Sequence, residues 1–184
     1  LGPDNGNMTQ VVRSMDAMLR EISAVSMDRA DFDEIFYTNF KRGTRSDVLF
    51  SIHIAQSGLL EFFENPWFTR LWVVQEAALS RTSTYYRGQV HLPRRDVLQV
   101  AAWLLSSSAQ LPSMTDAQLS GIANASRMLS AAQHPYRGRW TLWEVLVMFA
   151  ELESSDRRDA VFALIADVLT NISATCDLEA RIHP

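Results

Sequence analysis

Apolar residues recur at helical spacing along most of the chain, and this period predicts a mainly α fold. The period changes only near residues 83–92, where Tyr85 and Tyr86 favour strand and Arg87-Gly88 can turn, so one short β-hairpin is predicted. We expect roughly six to eight packed helices with this single hairpin. The predicted helices cover residues 9–24, 31–40, 47–63, 67–80, 94–107, 116–133, 141–152 and 158–168.

Glycine and proline affect the predicted stability and bounds of two of these helices. Gly58 lies near the centre of the helix predicted over residues 47–63, where it lowers helix stability by about 1 kcal/mol. Asn65-Pro66 ends that helix, and Pro66 suits the first turn of the next one because a missing amide donor costs least there. The side chains expected at the centre of the core are Leu71, Trp72 and Leu79.

The helix predicted over residues 67–80 carries Gln75 and Glu76 among large apolar side chains. At helical spacing Glu76 shares a face with Trp72 and Val73, so it is not expected to be freely solvated. Burying an amide or a carboxylate without partners is costly, so both groups should have dedicated partners or line a cleft. Two interpretations stay open: a structural helix that ties down neighbouring loops, and a functional site.

Charge and composition exclude several classes of protein. The net charge is −4, the pI is about 5.5 and the basic residues are scattered, so nucleic-acid binding is not predicted. Neither a membrane-spanning run nor a signal peptide is found, and Cys176 is the only cysteine, so a cytoplasmic protein without an internal disulfide is expected. The four histidines are far apart, and no metal site is predicted.

Tryptophans also stand on the predicted helices. Trp103, Trp140 and Trp143 lie on apolar stripes, and we interpret them as core or interface residues. Arg158 precedes the last predicted helix, and Arg70 projects away from Glu76 if both lie on one helix. For Arg158 and Asp159 the simplest role is to order the loop in which they lie.

The run Trp67-Phe68-x-Arg70-x-Trp72-x-x-Gln75-Glu76 resembles a motif of the fungal heterokaryon incompatibility (HET) domain. Leu1-Gly2-Pro3 is similar to the end of a strand in that family, and residues 156–164 resemble its Asp-Pro-Arg-Asp segment, with Arg157 in place of Pro and Phe162 in place of Tyr. The family's Ser-Tyr-x-Trp-Gly strand has no counterpart here. We therefore expect residues 1–169 to be the C-terminal portion of a HET domain, followed by a loosely structured tail at 170–184.

HET domains in turn resemble Toll/interleukin-1 receptor (TIR) domains, whose enzymatic members use a helical glutamate to cleave NAD. The resemblance implies that Glu76 is catalytic, with Trp72 and Gln75 as substrate contacts, in the complete α/β domain. Trp67, Phe68, Arg70, Arg158 and Asp159 would be structural parts of the motif.

The resemblance also implies a role in fungal non-self recognition and cell death. It further implies NAD as a substrate, no bound cofactor, and an isolated chain that is inactive. The alternative is a non-enzymatic module for protein–protein interaction and self-association.

Overall fold

The computed structural model describes residues 7–25, 58–79, 83–106, 114–133 and 142–154, together with 156 and 158. Six α-helices and one antiparallel two-stranded sheet lie within these ranges, which confirms the predicted mainly α fold with one hairpin. The elements are α1 Met8–Val25, α2 Leu59–Phe63, a 3-10 helix Pro66–Thr69, α3 Trp72–Leu79, β1 Thr84–Arg87, β2 Val90–Pro93, α4 Arg94–Ser106, α5 Asp116–Gln133 and α6 Leu142–Met148.

Helix α1 packs the predicted apolar stripe into the core. The carbonyl of Asn7 accepts hydrogen bonds from the N–H groups of Gln10 and Val11, which starts the first turn. The buried side chains recur every three or four positions, as expected for one face of a helix. They are Met8, Val11, Met15, Met18 and Ile22.

Helix α5 is the central helix, since it packs against α4, α2, α3 and the 3-10 helix. Its start is a capping box: the Thr115 hydroxyl accepts from the Gln118 N–H at 3.2 Å, and the Gln118 side chain accepts from the Thr115 N–H at 3.1 Å. Its buried face includes Ile122, Ala125 and Leu129. This face agrees with the predicted stripe except at one position.

In the sequence, the apolar spacing of residues 116–133 predicts that Leu119 faces inward with Ile122 and Leu129, but Leu119 is 42 % exposed. The buried face of α5 is centred near Gly121, Ile122 and Ala125. At 100° per residue, Leu119 is rotated by roughly 120° from that centre. The weak apolar pattern of this helix left its inward face ambiguous.

Gly121 allows α5 to lie directly against the end of α2. A Cβ atom built on Gly121 would lie 1.8 Å from the carbonyl oxygen of Phe63, far inside van der Waals contact. A second link joins the same two elements, because the Thr115 hydroxyl donates to the Glu64 carboxylate at 3.2 Å. The α2–α5 crossing therefore requires a residue without a side chain at position 121.

The hairpin places one tyrosine in the core. Tyr85 pairs with Leu92 in the antiparallel register, and both side chains are buried. Gly88 in the turn has a φ of 59°, which glycine adopts at little cost. Strand β2 runs directly into α4, and the N–H of Arg94 donates to the carbonyl of Ser83 at 3.0 Å. The base of the hairpin is thereby tied to the start of α4.

Two of the predicted helices are interrupted. Gly58 has φ 67° and ψ 6°, a left-handed conformation that caps α2, so a continuous α-helix through Gly58 is wrong. The helix predicted over residues 67–80 is also wrong in its first half. A 3-10 helix occupies Pro66–Thr69, Arg70 is extended with ψ 129°, and α3 begins at Trp72.

A backbone bridge explains the interruption at Arg70. The N–H of Leu71 donates to the carbonyl of Glu153 at 3.0 Å, and the N–H of Glu153 donates to the carbonyl of Thr69 at 2.7 Å. These bonds form a parallel bridge between Arg70 and Glu153. A residue in such a bridge has extended dihedrals, so it cannot also continue a helix.

The C-terminal prediction is correct only in part. Helix α6 ends at Met148 rather than near residue 152, although Phe149 and Leu152 are buried in the turns that follow. Trp103 is buried as expected, whereas Trp143 is 72 % exposed and is not a core residue. Trp140, the helix predicted at 31–40, residues 47–57, residues 159–168 and the tail at 170–184 lie outside the described residues.

Gly121→Ala should destabilise the protein by about 1–3 kcal/mol, because the added methyl group forces α2 and α5 apart. Urea denaturation of both proteins measures this difference. Helix propensity alone predicts the opposite sign, a gain of about 1 kcal/mol. Ser120→Ala, at an exposed position of the same helix, is the matched control and should be neutral or slightly stabilising. A Gly121→Ala variant as stable as this control would contradict the close approach.

Candidate functional site

A cleft of about 240 Å³ opens where α3, the 3-10 helix, the hairpin and the start of α4 meet. Each element contributes to its wall, so the cleft depends on the packing of segments that are separate in sequence. Its lining residues are Trp67, Glu76, Ser83, Thr84, Tyr85, Tyr86 and Arg94.

Aromatic rings form the inner wall of the cleft. The rings of Trp67 and Tyr85 lie 4.7 Å apart in an edge-to-face arrangement, and Trp67 contacts Phe68 in the same way at 5.1 Å. Phe68 is fully buried and continues into a cluster with Phe62 and Phe63. Aromatic pairs of this geometry add about 0.5–1.5 kcal/mol beyond area burial. The cleft wall is therefore an extension of the core and is held rigidly.

Tyr85 brings a polar group into this wall. The residue is only 6 % exposed, and its hydroxyl has no hydrogen-bond partner among the residues that the structure describes. Burial raises the pKa of Tyr85 strongly above its usual value of 10.0; Arg94 acts in the opposite direction, and Glu76 adds to the rise. The Tyr85 hydroxyl is therefore protonated throughout the physiological pH range.

Glu76 is exposed, so the expectation that its carboxylate is withdrawn from water is wrong. Among the α3 side chains that the structure describes, Val73 and Val74 are buried, and Glu76 is rotated by roughly 110° from the midpoint between these two. Trp72 is rotated further, by roughly 150°, and is only half-buried. Val73 therefore faces the core, whereas Glu76, three positions further along the same helix, lies at the edge of that face and reaches solvent.

The structure separates the predicted site residues. Glu76 and Trp67 line the cleft, whereas Trp72 is not among its lining residues. Gln75 belongs to α3, but its side chain lies outside the described part of the chain. The tryptophan beside Glu76 at this cleft is therefore Trp67, which was predicted to be structural.

A backbone bridge joins the first motif to the chain just before the second motif. Arg70 is exposed, and its bridge to Glu153 brings residues 69–71 and 153 together. Further along, Arg158 forms an ion pair with Asp156 at 2.6 Å, and its N–H donates to the same carboxylate at 2.9 Å. Arg158 thereby lowers the pKa of Asp156. The contact joins residues two positions apart in one loop, so the structural role of Arg158 stays a prediction, while Asp159 lies outside the described residues.

The hairpin side of the cleft was not predicted from the sequence. Ser83, Thr84, Tyr85, Tyr86 and Arg94 read as strand and helix-start residues. The only available signal was the adjacent tyrosine pair, which on a strand must point to opposite faces. Which tyrosine faces the core depends on the register with Leu92 and on Trp67, and neither is visible in a local pattern.

The described residues limit other chemistry. They contain no group of three or more His, Cys, Asp or Glu side chains able to hold a metal ion. Within the same ranges, no helix has the length and apolar character needed to cross a membrane. Comparison of the chain with protein-family models, with curated proteins and with solved structures gives no match.

Because Tyr85 is buried, the free energy of unfolding should depend on pH in the alkaline range. The pKa is higher in the folded state than the unfolded value of 10.0, so unfolding releases a proton only above about pH 10. The free energy of unfolding should be unaffected by this group below that pH. Above it, stability should fall by up to about 1.4 kcal/mol per pH unit until the folded pKa is reached.

Urea denaturation at about pH 8 and about pH 11 measures this loss, and Tyr85→Phe should reduce it by about 1.4 kcal/mol at the higher pH. The matched variant Tyr86→Phe, at a side chain that is 57 % exposed, should retain it. An alkaline loss in Tyr85→Phe equal to that of the unaltered protein would show that the Tyr85 hydroxyl is not buried.

Proposed function

We propose that the chain is the helical C-terminal part of a HET domain and that Glu76 takes part in cleavage of NAD in the complete domain. One observation carries the catalytic role: the Glu76 carboxylate is exposed at a cleft walled by Trp67 and Tyr85. The Arg70–Glu153 bridge supports the family assignment, because it joins one motif segment to the chain just before the other.

A carboxylate at this place suits glycosidic bond cleavage. It can accept hydrogen bonds from the hydroxyl groups of the ribose and stabilise the positive charge that develops on the sugar. Nicotinamide then leaves as a neutral base with the electron pair of the broken bond, and water adds to the ribose carbon and releases a proton. The aromatic wall offers a surface against which a flat ring can lie.

The complete domain is needed for this reaction. In an open α/β sheet the ligand lies beyond the carboxyl ends of parallel strands, and the described residues contain only one antiparallel hairpin. We therefore expect the 184-residue chain by itself to be inactive. The complete protein would act in the cytoplasm. There, non-self recognition would activate NAD cleavage, and the loss of NAD would lead to cell death.

Glu76→Gln in a protein that contains the complete domain should leave the fold intact and lower the rate of NAD cleavage by about 100-fold, equivalent to about 2.7 kcal/mol. The amide keeps the shape of the side chain and loses the charge that stabilises the transition state. NAD consumption and cell death at matched expression are the measurements. Glu61→Gln, at an exposed position of α2, is the control and should be fully active. A Glu76→Gln protein that remains toxic would exclude the enzymatic role.

The second candidate is a non-enzymatic interaction module that acts through self-association. Trp143 is 72 % exposed and Val147 is 56 % exposed, and four positions of helix place them on the same face of α6. An exposed tryptophan beside a second apolar side chain is characteristic of protein–protein contacts. In this case Glu76 would have no chemical role.

Trp143→Ser tests this second function. The side chain contributes little to the core, so the melting temperature should change little. If α6 mediates association, the dissociation constant measured by analytical ultracentrifugation should rise by about tenfold or more. Leu119→Ser, which removes another exposed apolar side chain, should leave association unchanged. Equal association of all three proteins would contradict a role for α6.

A further inference from the structure

Two hydroxyl groups in the wall of the cleft lack hydrogen-bond partners. The Ser83 and Tyr85 hydroxyls are both shielded from solvent, and neither has a partner among the residues that the structure describes. Both residues line the cleft. A buried hydroxyl without a partner is unusual in a folded protein because it has given up its hydrogen bonds to water. A ligand that pairs with both groups would remove this penalty.

The backbone places these two hydroxyls on the same side of the hairpin. Ser83 directly precedes β1, and its carbonyl accepts a hydrogen bond from the Arg94 N–H at 3.0 Å, so it continues the pairing of the two strands. Successive side chains of a strand point to opposite faces, and positions 83 and 85 therefore share one face. Tyr85 is 6 % exposed, whereas Thr84 and Tyr86 on the other face are exposed. The shared face of Ser83 and Tyr85 is thus the inward one.

The two hydroxyls can play complementary parts toward a ligand. Burial keeps the Tyr85 hydroxyl protonated, because it raises the pKa of that group above its usual value, so this hydroxyl can donate a hydrogen bond. A serine hydroxyl can accept a hydrogen bond as readily as it donates one. A ligand with an acceptor facing Tyr85 and a donor facing Ser83 would satisfy both groups.

The rest of the wall favours a single flat ring. The ring of Trp67 lies 4.7 Å from that of Tyr85, and Trp67 is only half-buried, so part of its surface is left to contact a ligand. The cavity of about 240 Å³ is smaller than the 300–1,000 Å³ typical of sites for drug-sized molecules. One aromatic ring with a short substituent is the size of molecule that fits.

We propose that Ser83 and Tyr85 form a subsite for a primary carboxamide carried on a single aromatic ring, which lies against Trp67. The Tyr85 hydroxyl donates to the amide carbonyl, and the Ser83 hydroxyl accepts from the amide N–H. A primary carboxamide is neutral and carries an acceptor and a donor side by side. A carboxylate would instead bring a second negative charge into the cleft that Glu76 lines.

Two sources share this chemistry: a free aromatic carboxamide, and the nicotinamide ring of a dinucleotide. Only the second rests on the proposed function. In that case the hairpin would orient the ring through its carboxamide, and Glu76 would remain free of this contact to face the ribose. Ser83 and Tyr85 would then bind and orient the substrate without transferring a proton.

Ligand titrations of the 184-residue chain followed by NMR test the subsite. The probes are nicotinamide, 3-acetylpyridine, which keeps the carbonyl and lacks the N–H groups, and 3-methylpyridine, which lacks both. Nicotinamide should bind about fivefold more tightly than 3-acetylpyridine, which should bind about fivefold more tightly than 3-methylpyridine, because each step removes one hydrogen bond. Absence of saturable nicotinamide binding, or equal binding of the three probes, would overturn the proposal.

Two substitutions assign the hydrogen bonds. Tyr85→Phe should weaken nicotinamide and 3-acetylpyridine about fivefold and leave 3-methylpyridine unchanged, whereas Ser83→Ala should weaken nicotinamide alone. Each removes a hydroxyl that has no partner among the described residues, so stability in urea at neutral pH should be retained. Ser120→Ala, exposed and outside the cleft, is the control and should bind like the unaltered chain. Equal weakening of all three probes in either variant would overturn the assignment, and Ser83→Ala tests it alone if Tyr85→Phe does not fold.

Nicotinamide mononucleotide distinguishes the two sources. Binding at least as tight as that of nicotinamide would support a dinucleotide ring as the ligand. Binding of nicotinamide without the mononucleotide would support the subsite for a free carboxamide and count against the cleft as the NAD site.

The outcomes are also distinct from those of the proposed activity. In the complete domain, Tyr85→Phe should raise the KM for NAD about fivefold and leave kcat unchanged, whereas Glu76→Gln lowers kcat. Nicotinamide binding together with an active Glu76→Gln enzyme would support the subsite and exclude Glu76 as the catalytic group. An inactive Glu76→Gln enzyme, together with a chain that does not bind nicotinamide, would keep the proposed function and overturn the subsite.

Discussion

The contact between Gly121 and the carbonyl of Phe63 sets the geometry on which the rest of the structure depends. It lets α5, the central helix, lie against the end of α2 at a distance that any side chain at position 121 would prevent. Phe63 is held there, and its ring packs against Phe68 at 5.1 Å. The position of the 3-10 helix thus follows from one glycine on a helix more than fifty positions further along the chain.

A series of aromatic ring contacts connects the α2–α5 crossing to the cleft. Phe68 is fully buried against Phe62 and Phe63, Trp67 contacts Phe68, and Tyr85 contacts Trp67. Close-packed interiors transmit displacement because they contain few voids. A change at the α2–α5 crossing should therefore move the wall of the cleft. This holds even though none of the residues that line the cleft belongs to α5.

The parts of the fold that were predictable are those in which a local period decides the outcome. Helix α5 has the bounds that its pattern indicated, and the stripe of α1 is buried as expected. Prediction failed where a distant segment decides: the backbone of Glu153 holds Leu71 outside a helix, so the helix predicted over residues 67–80 begins only at Trp72. It also failed on α3, where the sequence pattern left the inward face ambiguous and Glu76 is exposed. Glu76 at a cleft could be suggested from its unusual neighbours, whereas Arg94 and Tyr85 could not.

The bridge to Glu153 therefore has a consequence for chemistry as well as for the fold. In a continuous helix through residues 67–80, Trp67 and Glu76 would be nine positions apart, and their side chains would project roughly 180° from each other around the helix axis. Because Arg70 is extended and separates the 3-10 helix from α3, the side chains of Trp67 and Glu76 belong to different elements and can line one cavity. The motif of residues 67–76, which the sequence pattern predicts as part of one helix, is divided in the structure between the 3-10 helix and α3. The backbone bridge to Glu153 lies at the junction between these two elements.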